Sequence, residues 1–348
     1  MPIFSKNKMD IELKDSFDTE IEIFWKKQEK LQNFKLFQSY IWNSKVLNYF
    51  YHNQKNKIFI FIIREKNEIV AILPFIKRTQ FSLKILSLIG EDFTDYNSII
   101  VEKKLLNNKE KINQILNLLK INQKQFDLLY LKNQFDNNNL YALNPLFRFL
   151  NLKKKKNNYG IKVFGTWDEY IKENKLDNIK KKINYGVRKL NLDPNNTFQI
   201  FENNFEKKEI IKKTLENKTK FSSNYQKNQL QEFFLDNQIL DKLHCSGIFD
   251  KNKKLLASNI GILEQGKFIY YYPSYKISKD INKYSPGSIL LYFLIKYFFD
   301  KKINFFDFGT GDEIYKKKWS NSVYNNYELI YGFTLKGKIY KMIKIFYR

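Results

Sequence analysis

Apolar residues recur at helical spacing in two segments near the start of the chain, residues 18–31 and 37–51. Short continuous apolar runs follow these segments, and such runs are typical of buried β-strands. The predicted strands are residues 57–64, 68–76, 83–89, 96–101 and 126–131, with a helix at about 109–120 before the last of them. This half of the chain is therefore predicted to be a mixed α/β unit.

A second mixed unit is predicted after residues 151–160 (NLKKKKNNYG), where apolar periodicity is lost and four lysines are consecutive. Its predicted strands are 161–164, 197–202, 241–250, 254–263, 267–275, 303–308 and 327–334. Its predicted helices are 167–174, 176–191, 207–219, 226–237 and 285–301, with a basic helix at the C-terminus. The length of 348 residues favours two domains at ~150 residues each. We expect them at residues 1–155 and 156–348.

The composition excludes a disordered or fibrous protein, because 43% of the residues are hydrophobic and 17% are aromatic. One cysteine, Cys245, and two histidines, His52 and His244, predict neither an intramolecular disulfide nor a metal site. The longest apolar runs, residues 58–63 and 289–299, are shorter than the ~20 residues that span a membrane. The N-terminal residues lack the apolar region of a secretory signal. We expect a metal-free cytoplasmic protein.

The formal net charge of +25 is a property that attracts phosphates, nucleic acid or anionic lipid. The lysines are scattered among asparagines and do not form one stripe, and Lys, Asn, Ile, Phe and Tyr are the amino acids of A/T-rich codons. The charge therefore has two interpretations, a compositional one and a functional one. Under the functional interpretation, the protein could make peripheral contact with a membrane.

Residues 285–287 (Ser-Pro-Gly) form a favourable helix start. Ser285 stands at the predicted N-cap, Pro286 at the first helical position and Gly287 next to it. The free amides and the positive end of the dipole at such an N-terminus can hold a pyrophosphate. A good cap without a ligand is the alternative interpretation of the same three residues.

Acidic and hydroxyl-bearing residues follow the next predicted strand. This segment runs from Asp307 through Asp312 and Glu313 to Tyr315 and Lys316. Open α/β sheets place ligands just beyond the carboxyl ends of their strands. The segment is therefore a candidate site, although Asp312 or Glu313 also suits the cap of a short helix.

Residues 284–319 resemble the signature of the CelD/BcsL-like acetyltransferases, a branch of the GNAT (GCN5-related N-acetyltransferase) superfamily. That signature is a YSPG helix start with Leu-Leu, a helix, and then FDFG-x-GDE-x-YK-x-x-W. The matching residues are Tyr284, Ser285, Pro286, Gly287, Leu290, Leu291, Asp307, Phe308, Gly309, Gly311, Asp312, Glu313, Tyr315, Lys316 and Trp319. Shorter segments, such as FQSYIW at 37–42 and VAILPF at 70–75, also look like the family.

The resemblance implies an α+β (mixed α/β) protein of two tandem GNAT-like folds, similar also to Fem-type transferases, with an acyl-CoA site in the second. It implies that the pantetheine of acetyl-CoA, or of another acyl-CoA, lies between strands 267–275 and 303–308. The pyrophosphate would lie at the following helix start. The residues implied to bind this co-substrate are Tyr284, Ser285, Pro286, Gly287, Ser288, Tyr271, Tyr272 and Asp307. In an unbroken strand, Tyr270 and Tyr272 share one face and Tyr271 lies on the other.

The reaction would be attack of an amine on a thioester, which needs a base for the amine and an acid for the departing thiolate. By residue type, Glu313 and Asp312 are the candidate bases and Tyr315 is the candidate acid. Lys316 is the candidate anion or oxyanion partner. The family association suggests an acceptor amine on a cell-envelope or polysaccharide precursor, such as an amino sugar.

Two alternatives remain at this stage. A Fem-like transferase would use aminoacyl-tRNA as the donor, which the positive charge would favour. A catalytically inactive basic protein would bind RNA or membrane without turnover. The first domain lacks both the Ser-Pro-Gly helix start and the acidic segment, so we expect it to support the second domain and shape the acceptor cleft without binding CoA.

Overall fold

The computed structural model describes residues 9–54, 57–121, 125–135, 145–146, 153–193, 197–218, 223–276 and 278–346. The helices are α1 (Thr19–Gln32), α2 (Tyr40–Tyr51), α3 (Lys109–Ile121), α4 (Trp167–Glu173), α5 (Asp177–Lys189), α6 (Asn204–Asn217), α7 (Asn224–Leu235), α8 (Asn237–Leu240), α9 (Lys279–Asn282), α10 (Pro286–Asp300), α11 (Ile314–Trp319) and α12 (Leu335–Phe346). The strands are β1 (Met9–Lys14), β2 (Ile58–Glu65), β3 (Glu68–Gln80), β4 (Leu83–Leu88), β5 (Ile100–Val101), β6 (Leu128–Phe135), β7 (Lys153–Lys162), β8 (Phe198–Phe201), β9 (Leu243–Phe249), β10 (Leu255–Glu264), β11 (Lys267–Tyr275), β12 (Phe305–Asp307) and β13 (Ser322–Gly332).

The chain forms two compact units. Unit 1 holds the residues up to 156 together with those from 324 onward, and unit 2 holds residues 157–323. The division expected from the sequence, 1–155 and 156–348, differs in the C-terminal segment, which belongs to unit 1. The reason is strand pairing, because β13 pairs antiparallel with β6 through Leu329↔Leu131 and Ile330↔Tyr130. A strand belongs with the sheet that satisfies its backbone hydrogen bonds, and local sequence does not name that partner.

In unit 1 the strand order is β1-β2-β3-β4-β6-β13, with β5 beside β3. Neighbouring strands are antiparallel except β4 and β6, which are parallel. Helix α3 buries Ile112, Ile115, Leu116 and Leu119, a stripe at helical spacing. This stripe belongs to a core with the apolar faces of the strands.

In unit 2 the order is β7-β12-β11-β10-β9-β8, and β11 and β12 are the parallel pair. Helix α10 connects these two strands and is apolar on most of its circumference. Its buried residues are Pro286, Ile289, Leu290, Leu291, Tyr292, Leu294, Ile295, Phe298 and Phe299. A buried side chain of this size contributes about 1.5–3 kcal/mol, so α10 is held firmly against the sheet and its N-terminus has a fixed position.

The predicted meander at 241–275 and the helix at 285–301 are confirmed as β9 to β11 and α10. Three other expectations fail. Strand β1 was not predicted, the strand expected at 96–101 is only Ile100–Val101, and residues 153–160, expected to lack regular structure, lie in β7. β7 pairs with β12 through Asp307↔Gly160, and a Cβ at Gly160 would lie 2.2 Å from the Phe305 ring. Long-range pairing overrides the polar composition of this segment.

None of the helices in the described part of the chain has the length and hydropathy needed to span a bilayer.

Candidate active site

The parallel strands β11 and β12 separate soon after they pair. Their paired positions are Lys267↔Phe305, Phe268↔Phe306 and Ile269↔Asp307. Strand β12 ends at Asp307, whereas β11 continues to Tyr275. A gap therefore opens beside residues 270–275, where β11 has lost this neighbour.

A β-bulge lies at the start of the gap. Ile262 pairs with Ile269 and Ile260 pairs with Tyr272, so Gly261 alone stands opposite both Tyr270 and Tyr271. The extra residue breaks the alternation of side chains along β11. Tyr270 and Tyr272 consequently face opposite sides of the sheet, contrary to the expectation from an unbroken strand.

The contacts of these tyrosines agree with the bulge. Tyr270 lies in the core beneath α10, with its ring centroid 6.1 Å from that of Phe306. The rings of Tyr271 and Tyr272 pack edge-on against the Phe234 ring of α7, with centroids 6.2 and 5.6 Å from the Phe234 centroid. Burial raises the pKa of the Tyr270 phenol well above its ordinary value, with a smaller contribution from Tyr315. Tyr270 is therefore a neutral hydrogen-bond donor.

Helix α10 begins without a side-chain cap. Ser285 occupies the N-cap position in a left-handed conformation (φ 52°, ψ 62°) and its hydroxyl makes no capping bond, contrary to the role expected from the sequence. The Ser285 carbonyl accepts from Ser288 N–H and Ile289 N–H. Gly287 N–H donates to no acceptor within the described residues. The helix start thus presents an unused amide at the positive end of the dipole.

A cavity of about 320 Å³ lies where the strands separate and α10 begins. We call it the strand-gap cavity. It is lined by Tyr270, Pro273, Ser274, Tyr275, Asn282, Ser285, Pro286, Gly287, Ser288, Leu291 and Tyr315. The Asn282 side-chain oxygen is buried and has no hydrogen-bond partner within the described residues. The cavity therefore combines an apolar wall with polar groups at the helix start.

A second cavity, of about 500 Å³, adjoins the first and shares Ser285, Ser288 and Tyr315 with it. Its other lining residues include Tyr284, Tyr185 and three lysines from separate segments, Lys182, Lys283 and Lys318. We call it the lysine-lined cavity. Gly186 lets α5 approach the helix start, because a Cβ there would lie 2.8 Å from the Tyr284 carbonyl oxygen. Positive charge therefore surrounds the start of α10 on this side.

Of the four predicted catalytic residues, Tyr315 lines both cavities. Lys316 is buried, donates to the Thr310 carbonyl at 2.6 Å and pairs with Glu313 at 3.0 Å. Glu313 and Asp312 are exposed and line neither cavity. A Cβ at Gly311, where φ is 119°, would lie 2.4 Å from the Glu313 carboxylate. The GDE-x-YK segment is thus a tight turn that Lys316 holds together and that directs Tyr315 into the cavities.

The predicted co-substrate residues divide in the same way. Tyr284 to Ser288 lie at the two cavities, whereas Tyr271 and Tyr272 do not. Asp307 is fully buried and accepts from Gly309 N–H at 2.7 Å, which fixes the turn after β12. Sequence reasoning missed Tyr275 and Asn282, and it treated Tyr270 as equivalent to Tyr272. The YYYPSY run at 270–275 marked the strand, but only the bulge distinguishes Tyr270 from Tyr272.

No group of three or more His, Cys, Asp or Glu residues suited to a metal ion occurs in the described residues. His244 and Cys245 lie inside unit 2. Burial lowers the pKa of His244 to about 4 and raises that of Cys245 to about 12. Neither is poised for nucleophilic or acid–base chemistry near neutral pH.

Residues 241–317 match the family model described as an acetyltransferase (GNAT) domain. The matched segment runs from the start of the meander, through α10, to α11, and so contains the strand gap. None of the curated proteins matches the chain.

Several solved structures share the fold over almost the whole chain. FemX is 12% identical with a TM-score of 0.53, covering 95% of this chain and 99% of that one. L-PGS from Bacillus licheniformis is 12% identical with a TM-score of 0.50, at 93% and 96% coverage. A tandem GNAT protein from the clavulanic acid biosynthesis pathway is 6% identical with a TM-score of 0.50, at 94% and 99%. The fold is therefore GNAT-like over almost the whole chain, and the match of residues 241–317 to the acetyltransferase domain supports an acyltransferase activity.

Proposed function

We propose that this protein is an acyl-CoA-dependent N-acyltransferase of the CelD/BcsL-like branch. It transfers acetyl, or another acyl group, from CoA to an amine of a cell-envelope or polysaccharide precursor such as an amino sugar. The observation that carries the proposal is the strand-gap cavity, in which diverging strands, an uncapped helix start and Tyr315 meet. The expected cytoplasmic location belongs to the same proposal.

Two parts of an acyl-CoA, the pantetheine and the pyrophosphate, would have matching groups in unit 2. The pantetheine amides require backbone partners, and β11 beyond Ile269 lacks β12 as a neighbour. The pyrophosphate requires donors and positive charge, which the Gly287 amide at the strand-gap cavity and the three lysines of the lysine-lined cavity would supply. This division assigns the helix start to the nucleotide end and the strand gap to the acyl end.

The transfer replaces the C–S bond of the thioester with a C–N bond. The amine loses a proton to a carboxylate, either directly or through water, and Glu313 and Asp312 remain the candidates. Tyr315 donates a proton to the departing thiolate. Lys316 already has two oxygen partners, so we assign it a positioning role in place of oxyanion binding.

Calorimetry with acetyl-CoA tests the donor. We expect saturable binding by the wild type and at least a hundredfold loss, about 2.7 kcal/mol, in Gly287→Trp, whose ring would fill the cavity. The matched control is Glu110→Trp in the first turn of α3, where the side chain is exposed, and it should bind like the wild type. The proposal fails if near-millimolar acetyl-CoA gives no heat. Mass-spectrometric screening of amino-sugar nucleotides with acetyl-CoA then identifies the acceptor.

The structural likeness to FemX and the charge of +25 support a second candidate, a Fem-like transferase that uses aminoacyl-tRNA. Fem-type enzymes often carry a long helical hairpin in the second domain. Here α6 and α7 are ordinary helices of 14 and 12 residues. A tRNA gel shift that persists at physiological salt would favour this candidate over acyl-CoA, because non-specific binding weakens steeply with salt.

A further inference from the structure

Helix α12 turns the apolar side of its sequence toward solvent. Leu335 is 74% exposed, Ile339 44%, Met342 51% and Ile343 49%. Their spacing of four, seven and eight residues from Leu335 places them on one stripe of the helix. A surface helix normally turns such a stripe toward the core, whereas α12 turns it toward solvent.

Packing on the other side of α12 fixes this orientation. Gly337 is buried and packs on the Asp127 backbone, because a Cβ there would lie 1.9 Å from the Asp127 carbonyl oxygen. Tyr340 packs against the small core of Leu83, Ile85, Leu128 and Tyr130. The helix also has its own cap, since Gly337 N–H donates to the Thr334 hydroxyl at 3.3 Å. The exposed stripe is therefore a feature of the folded unit.

Another exposed apolar side chain lies on the turn before β4, the strand that Asp127 links to the start of α12. Phe81 is 82% exposed at the tip of the β3–β4 turn, where Phe81 and Ser82 both have positive φ. Asp127 joins the two elements, accepting from Lys84 N–H at 2.9 Å and from the Thr334 hydroxyl at 2.8 Å. We group Phe81, which lies three residues before Lys84, with the four stripe residues and call this group the α12 surface.

All charged side chains in residues 335–348 are positive. Residues 335–348 contain Lys336, Lys338, Lys341, Lys344 and Arg348 and no acidic residue. Lys336 and Lys338 are exposed and flank the apolar stripe. If α12 paired with α12 of a second copy, these lysines would face each other, and their repulsion would disfavour the dimer. Apolar side chains flanked by lysines match the boundary between anionic headgroups and acyl chains.

We propose that the α12 surface docks on an anionic lipid membrane. The stripe residues and Phe81 enter the headgroup boundary, and the lysines contact lipid phosphates. The helix lies in the plane of the surface and does not cross it. This docking is independent of the proposed acyl-CoA chemistry.

Cosedimentation with lipid vesicles tests the docking. The wild type should bind vesicles of phosphatidylcholine with about 30% phosphatidylglycerol, bind pure phosphatidylcholine at least about tenfold more weakly, and be released by about 0.5 M salt. The double variant Ile339→Glu/Ile343→Glu should lose about tenfold or more in affinity for the anionic vesicles. The control Ile23→Glu changes a residue of α1 that is 64% exposed and should bind like the wild type.

A second variant separates lost charge from lost apolar contact. Lys336→Gln/Lys338→Gln should weaken anionic binding several-fold and reduce its salt dependence. Circular dichroism of each variant establishes that it is folded. The proposal is overturned if the wild type does not bind anionic vesicles, or if the double glutamate variant binds them equally well. It is also overturned if light scattering shows a dimer that this variant converts to monomer, because the surface is then a protein interface.

Discussion

The two units each contain one parallel strand pair joined by a helix, but they use the space beside that pair differently. In unit 1, β4 and β6 pair through Ile85↔Leu128 and Leu86↔Leu129, and beyond them the chain itself fills the gap. Lys132 N–H donates to the Glu91 carboxylate at 2.6 Å, and Asn97 N–H donates to the Asn133 carbonyl at 3.1 Å. In unit 2 the corresponding gap beside β11 is a cavity.

The helix starts differ in the same sense. In unit 1, the Asn108 side chain accepts from Lys111 N–H at 3.0 Å at the start of α3. In unit 2, α10 has no side-chain cap, and the Gly287 amide has no acceptor in the part of the chain that the structure describes. The same strand–helix–strand arrangement is therefore filled by the chain in unit 1, whereas in unit 2 it leaves a cavity beside an uncapped helix start. This difference supports the proposal that unit 2 holds the acyl-CoA and that unit 1 does not.

The largest expected effect comes from opening the closed gap. Glu91→Ala removes a buried carboxylate that bonds Lys132 N–H and lies 3.7 Å from both Arg78 and the Lys132 ammonium. We expect the free energy of unfolding to fall by about 3 kcal/mol. Asp92→Ala is the control, because Asp92 pairs with the same arginine at 2.6 Å but is 52% exposed, and it should cost less than about 1 kcal/mol. Equal losses in urea unfolding would show that Glu91 does not close the gap.

The next largest effect is a difference between the units in how their stability depends on pH. His244 has a pKa lowered to about 4 by burial, so its contribution to stability is present above the unfolded value near 6.5 and is lost as the pH falls toward 4. Between pH 7 and about 4.5 this loss is about 2.5 kcal/mol. Burial raises the pKa of Glu91, so its contribution is greatest at low pH and is lost as the pH rises. Acidification should thus weaken unit 2 while the Glu91 contribution favours unit 1.

Hydrogen exchange followed by mass spectrometry measures this difference peptide by peptide. Protection of β9 to β11 should fall between pH 7 and about 4.5, after correction for intrinsic exchange, relative to that of β4 and β6. In His244→Phe, whose ring suits the surrounding Phe268 and Phe298, the acid-dependent loss in unit 2 should largely disappear. An unchanged loss in this variant would assign the effect to other groups.

The smallest effect concerns the two faces of β11. Tyr270→Phe removes a phenol that lines the strand-gap cavity, and we expect the rate of thiol release from acetyl-CoA to fall about tenfold with the binding constant little changed. Tyr272→Phe removes the phenol on the opposite face and should change the rate less than about twofold. The assignment of faces would be wrong if Tyr272→Phe had the larger effect.

Local pattern was sufficient for much of the fold and for the segment in which the candidate site is proposed. The meander, α10 and the Ser285–Gly287 start follow from apolar runs, a Pro at the first helical position and turn residues, because these signals act within a few residues. The family-like residues Tyr284 and Tyr315 both line the lysine-lined cavity, and Tyr315 also lines the strand-gap cavity. In contrast, the sequence did not indicate that Lys316 would donate to the Thr310 carbonyl and pair with the Glu313 carboxylate within the same turn.

The sequence by itself determined most of the helices and strands, the position at which α10 begins, and that the chain carries an excess of positive charge. The tertiary structure decided that residues 324–348 join unit 1, that the bulge opposite Gly261 turns Tyr270 and not Tyr272 toward the cavity, and that α12 exposes its apolar stripe. These outcomes depend on hydrogen bonds and close packing between residues far apart in the chain. Such partners compete for each strand and helix face, and only the folded molecule settles the competition.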